Sequence, residues 1–186
     1  MSGRASGPRE GQARRRRALT LPLASVALAL IASPAPAQTG DGRVQVDPAQ
    51  VPQSVATQVE CGTDPDDVSR RPFAGGFIFA WKCASNHANW VEALVYADNA
   101  EGVGARLLRF PRPGGAEPSE ELANVRWFLA TRELTELSVD PENDKICRTE
   151  ARWRLTGTPP TPQLVFWRET RDCEGKGGWR TVVEGR

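Results

Sequence analysis

The chain reads as all-β or mainly β: an antiparallel sandwich or barrel of about eight short strands, stabilised by disulfides. Three observations carry that expectation. Short apolar or alternating runs are separated by Gly- and Pro-rich turn signals. No segment sustains a helical period. Four cysteines, an even number, lie downstream of an export-type leader.

That leader comes first. Arg14 to Arg17 precede an apolar run from Ala18 to Ala32, and Ala35-Pro36-Ala37 supplies small residues before Gln38. These are the n-region, h-region and cleavage site of a signal peptide, so residues 1–37 are read as removed on export. The run falls short of the roughly 20 residues a spanning helix needs, and Thr20, Pro22 and Ser25 weaken it further. No cysteine follows it to take a lipid. The paired arginines leave the route open between general secretion and twin-arginine export. A periplasmic or secreted protein with no membrane span after cleavage is expected.

Cleavage changes the charge. Of 24 basic and 23 acidic residues, the leader holds six arginines and one glutamate, so 18 and 22 remain, a net of −4. A mildly acidic domain has no long-range attraction for nucleic acid or anionic lipid, and both are set aside as partners. Residues 38–60, with Gly40, Gly42, Pro48 and Pro52, read as an extended N-terminal segment, and residues 61–186 as one domain.

Within that domain Phe77 to Trp81 reads as a buried strand leading into Cys83, and Trp90 to Ala97 as the next. Ala105 to Phe110 can pair with the latter across a loop containing Gly102 and Gly104. Pro111 to Gly115 breaks the chain. Ser119 can cap one helical turn through Glu120 and Glu121, with a loop as the alternative. Val125 to Phe128 and Glu133 to Val139 form a hairpin, and Asp140 to Asp144 a turn.

The C-terminal hairpin is the most specific expectation. Cys147, Thr149, Ala151, Trp153 and Leu155 fall on one face, with Arg148, Glu150, Arg152, Arg154 and Thr156 on the other. Gly157 to Pro162 is a turn, and Gln163 to Thr170 returns. Cys147 and Cys173 are equidistant from Pro160. A symmetric register about Pro160 therefore sets Trp153 opposite Trp167, Leu155 opposite Val165 and Cys147 opposite Cys173; a bulge would shift it. Of three possible connectivities this selects Cys147–Cys173, leaving Cys61–Cys83 by elimination. Trp179 to Val183 is the last strand.

Cys147, Trp153, Gly157, Leu164, Cys173-Glu174-Gly175 and Trp179, preceded by Leu122-Ala123-Asn124 and Leu134, resemble the C-terminal part of a family of exported bacterial proteins classified as a domain of unknown function. Trp90 to Pro111 is similar to an upstream part of the same pattern. The resemblance covers residues 73–186 and implies fold and compartment; this chain is shorter than the family pattern at its N-terminal half. No mechanism is carried over.

Side chains for catalysis are sparse. His87 is the one histidine, so a Ser-His-Asp arrangement or multi-histidine metal site would depend on it. Glu92, Glu150 and Glu169 are candidates for carboxylate-based hydrolysis of envelope glycans, with salt-bridge roles as the alternative. Asp64, Asp66 and Asp67, and Asp140, Glu142 and Asp144, lack the spacing of a calcium loop and read as acidic turns. Gly175-Lys176-Gly177-Gly178 reads as a turn rather than a phosphate loop. The six tryptophans fall mostly on apolar alternation and read as core rather than a carbohydrate platform. No metal and no cofactor is expected.

A binding surface remains. Arg148, Arg152, Arg154 and Arg168 share the outer face of the cysteine hairpin, with Phe166 opposite Arg154; arginine beside aromatic area is the composition of a contact hot spot, and an ordinary solvated face is the alternative. The expectation is a non-catalytic protein-binding module of the cell envelope, with an envelope or secreted protein as partner. One concrete form is an inhibitor of an envelope-attacking enzyme such as lysozyme, by analogy of size, compartment and fold.

Overall fold

The computed structural model describes residues 42–61, 67–85, 89–140, 142–143 and 145–184. The leader, Asp64, Asp66, His87 and Asp144 lie outside the described residues. The described residues belong to one compact unit within Ala35–Arg186.

Among the described residues, eleven strands form two antiparallel sheets. The first joins β1 (Val44–Val46), β2 (Val68–Phe73), β3 (Gly76–Ser85), β4 (Trp90–Ala97) and β5 (Arg106–Leu107) in that order, with β6 (Glu121–Ala123) also on β4. The second runs β11 (Arg180–Glu184), β10 (Thr161–Thr170), β9 (Arg148–Thr156), β8 (Glu133–Val139), β7 (Arg126–Phe128). The result is mainly β and sandwich-like. No described helix is long and apolar enough to cross a membrane, which says nothing of a β-barrel.

The main core lies between the sheets. Ile78, Ala80, Leu94 and Tyr96 of the first meet Leu134, Ala151, Trp153, Leu155 and Trp167 of the second. Trp153 is fully buried, edge-on to Phe110 at 5.5 Å and to Trp167 at 6.5 Å, and its Nε1 donates to Pro111 O at 2.9 Å. A second core covers the other face of the first sheet. There Val68, Phe79, Trp81, Ala93 and Val95 pack under Val55 and the flanking Val51, Ala56 and Val59.

This N-terminal arm differs from the extended segment read over 38–60. After β1 it makes a short 3-10 turn at Pro48–Gln50 and a single α-turn, α1, at Gln53–Ala56. Burial of Val55 drives that turn onto the sheet. Ser54 Oγ donates to Gly102 O at 2.8 Å, and Gly102, at φ +82°, leaves the space that Pro52 and Ser54 occupy. The Cys61–Cys83 bridge fastens the arm's end to β3, with Cα atoms 4.8 Å apart.

Cys147–Cys173 forms as well, with Cα atoms 5.1 Å apart, so the pairing read from spacing stands. Two bridges are consistent with an oxidising compartment. The register does not stand. Thr156 faces Thr161 across Gly157–Pro160, Trp153 faces Leu164, and a bulge between Leu164 and Phe166 then sets Trp167 opposite Ala151 and Phe166 opposite Arg152. The turn is centred before Pro160, because Thr161 and Pro162 are already strand. Pro162 fits there since Leu155, its partner, directs its own N–H to Arg132 O on the other side. Cys173 is reached because Cys147 N bonds Thr170 O and the chain then turns back at Asp172. Ser119 bridges Phe110 rather than capping a helical turn, and Glu121–Ala123 is strand.

Because Trp153 packs between the sheets and its N–H ties the segment after β5 to the core, Trp153→Ala is expected to lower unfolding free energy by about 3–5 kcal/mol in urea titration. A loss under about 1 kcal/mol would show that the stack is not the centre of the core.

Candidate functional site

The alternation of β9 puts Arg148, Glu150, Arg152 and Arg154 on the outer face of the second sheet, while Ala151, Trp153 and Leu155 point into the core. The bulge in β10 keeps Trp167 inward and turns Phe166 and Arg168 outward beside them. The five residues read from the sequence as a binding face, Arg148, Arg152, Arg154, Phe166 and Arg168, are therefore on one face. Phe166 lies opposite Arg152 rather than Arg154, a correction that follows from the bulge.

Neighbouring strands add residues the sequence did not single out. On β8, Glu133 accepts from Arg154 Nε at 3.1 Å and Nη2 at 2.8 Å, with Arg152 Nε at 3.9 Å. Glu150 accepts from Arg168 Nε at 2.6 Å. Exposed Arg126 and Phe128 continue the face onto β7, where they pair with Thr135 and Glu133. The Arg152 and Arg168 guanidinium groups each lie 5.8 Å from the Phe166 ring, and Arg168 stacks 4.4 Å over Trp179. The signal for Glu133 and Phe128 was the alternation of the β7–β8 hairpin. Which β9 residue each would meet depended on a strand register that one chain's pattern leaves open.

The Arg168–Glu150 pair is partly exposed and contributes about 0–1 kcal/mol, whereas Glu133 is buried at 8% exposure and keeps two Arg154 nitrogens as partners; both acids hold guanidinium groups in place. Arg126, Arg148, Arg152, Arg154 and Arg168 outnumber Glu133, Glu150 and Glu184, and the face is net positive on a domain that is net negative over residues 38–186. Among the described residues, the segment carrying Gly175 and Trp179 folds against one end of this face. The first sheet, by contrast, has part of its outer face under the N-terminal arm.

The three carboxylates considered for hydrolysis do not converge. Glu150 points outward to Arg168; Glu169 points inward, bonded to Trp167 Nε1 at 3.3 Å and ion-paired with Arg180. Glu92 belongs to the first sheet, where Arg43 stands 3.8 Å away. Burial pushes the Glu92 carboxyl above the ordinary glutamate range, and the nearby Arg43 and Arg71 charges only partly oppose this. Arg71 is itself 2% exposed and stacks 4.3 Å over Trp127. Among the described residues, the one grouping with metal-type ligands is Cys61, Cys83 and Glu121, whose two sulfurs are bonded to each other. Asp67 accepts from Gln45, and Asp140 from the Glu142 N–H, as turn and edge residues do. Trp81, Trp153 and Trp167 are buried, as read; Trp90 is exposed.

The molecule is thus a small disulfide-bridged β-sandwich whose first sheet has its outer face covered in part by the N-terminal arm, and whose second sheet has an open, positive outer face. No family model matches the chain, and neither a curated protein nor a solved structure matches it.

Because Glu92 holds its proton more tightly folded than unfolded, wild-type stability relative to Glu92→Gln should fall as pH rises from about 4.3 through the raised value. Melting temperatures of both proteins across pH 4 to 8 test this; a difference independent of pH would place Glu92 in water-like surroundings.

Proposed function

We propose that the chain is an exported, non-catalytic binding module of the cell envelope that holds an acidic protein partner on the outer face of its second sheet. One observation carries the reading: this is the sheet face the fold leaves open, and it joins an arginine excess to half-exposed Phe128 and to Phe166. Arginine and aromatic side chains dominate contact hot spots, and charge complementarity selects an acidic partner. The arginines are already aligned by Glu133 and Glu150, which lowers the ordering cost of binding. An envelope-attacking enzyme with an acidic cleft, such as lysozyme, has the required chemistry.

Export is supported by the leader pattern of residues 1–37, by the two bridges, and by the resemblance of residues 73–186 to an exported family. Intact mass of the protein from a periplasmic or culture fraction is expected to lack residues 1–37. Recovery of the leader on the folded protein would overturn the cleavage site.

The immobilised, oxidised protein is expected to retain an acidic envelope or secreted protein saturably, with affinity falling as salt is raised. Phe128→Ser with Arg152→Gln should weaken that complex at least about tenfold, about 1.4 kcal/mol or more. Equal retention by the double variant, or no saturable acidic partner, would defeat the reading.

A further inference from the structure

We propose that the groove between the end of the N-terminal arm and the chain excursion after β5 is a second docking surface, which seats a lysine- or arginine-bearing segment of a basic protein partner. The inference goes beyond the reading of the arginine face and does not rest on it.

The groove follows from how the first sheet is built. β5 and β6 lie end to end along β4: Leu107 faces Val95, Leu108 N bonds Leu94 O, and Glu121 faces Ala93. Between them the chain leaves the sheet and returns, and Phe110 and Ser119 close this excursion by exchanging N–H···O bonds of 2.8 and 2.9 Å. The arm covers the outer face as far as Val59, and the Cys61–Cys83 bridge then pins it to β3. A gap of about 670 Å³ is left between arm and excursion, floored by Ala93 and Leu107, which both point to the arm side of the sheet. Both walls are held before any ligand arrives, which lowers the ordering cost of binding.

The rim is acidic. Glu60 comes from the arm, and Glu117, Glu120 and Glu121 from the excursion and β6, against one cation, Arg109. Arg109 is committed to Glu120 at 2.8 Å. Glu60, Glu117 and Glu121 are exposed, and among the described residues no cation pairs with them. Their carboxylates are open to solvent and so to an incoming charge. An apolar floor beneath such a rim matches a lysine or arginine side chain, whose hydrocarbon stem lies on Leu107 while its charge stays among the acids. The carboxylates do not converge as metal ligands do: the one grouping of that kind among the described residues takes only Glu121 from the rim. The arginine face lies on the outer side of the other sheet, so the two surfaces do not compete.

The probe is a labelled peptide of alternating lysine and valine, with its Nε-acetylated form as control. Fluorescence anisotropy with the oxidised protein is expected to show saturable binding that the acetylated form lacks, and methyl spectra should shift at Val59 and Leu107. Glu60→Gln with Glu117→Gln, both exposed and unpaired, should weaken the lysine peptide about tenfold. Arg109→Gln frees Glu120 and should tighten it severalfold. Glu174→Gln with Glu184→Gln removes as much charge from the second sheet's side and should change affinity less than about twofold, because screening confines the effect to nearby charges. Phe128→Ser with Arg152→Gln should leave peptide binding as in the wild type, which separates failure of the groove from failure of the arginine face. No saturable binding, equal affinity for the acetylated peptide, or an equal loss in the Glu174 and Glu184 variant would overturn the groove. Displacement of the peptide by calcium at constant ionic strength would do so in favour of a cation site. A dimer in sedimentation that dissociates in the Glu60 and Glu117 variant would do so in favour of a second copy as occupant.

Discussion

The contact on which the sandwich depends is the one around Trp153. Its ring is closed in by Phe110 from the first sheet's side and by Trp167 from the second, while Arg112 lies over both indoles at 5.5 and 5.1 Å. Arg112 is there because Glu136, 3% exposed on the core face of β8, needs a counter-charge, and Ala123 N supplies a further donor. A pair so placed does little for net stability beyond a hydrophobic substitute, since both charges were taken from water. Its effect is geometric. Arg112 links the segment after β5 to the second sheet, and the Trp153 N–H bond to Pro111 O fixes the same segment one residue away.

Much of the fold was legible in local pattern. The alternation from Cys147 to Leu155 named the inward and outward sides of β9 correctly, because a strand with one face buried must alternate. Cysteine spacing gave the right bridges even though the register argument behind one of them was wrong. That argument assumed a turn centred on Pro160 and a straight return strand. The chain instead enters β10 at Thr161 and carries an extra residue at the bulge, two offsets that no alternation pattern marks. β2 was missed for a different reason. Arg70-Arg71-Pro72 has the composition of a loop, yet Arg70 lies over Phe77 at 5.1 Å and Arg71 is buried against Trp127, both using their carbon stems and flat guanidinium groups as packing surface.

Of the candidate site, the β9 and β10 contribution was readable from parity alone. The contributions of Glu133, Arg126 and Phe128 were not, since they reach the face through lateral neighbours whose register is set in three dimensions. The same holds for Trp179. The sequence shows an aromatic residue after a glycine-rich turn; only the Asp172-braced loop explains why it comes to rest on Arg168.

The N-terminal arm makes the two sheets unlike in a way that extends to how the gene can vary. Phe77, Ile78, Phe79, Ala80 and Trp81 all have a hydrophobic neighbour, alternately between the sheets and beneath the arm, so β3 offers no solvated position in that run. Across the sandwich, β9 buries Ala151, Trp153 and Leu155 and exposes Arg152 and Arg154 between them, with Arg148 and Glu150 half-buried on the same outer side. Substitutions recorded along the chain would therefore show two rhythms: uniform intolerance through β3, and a two-residue beat through β9 in which drift of the outer residues is limited by what they bind rather than by folding.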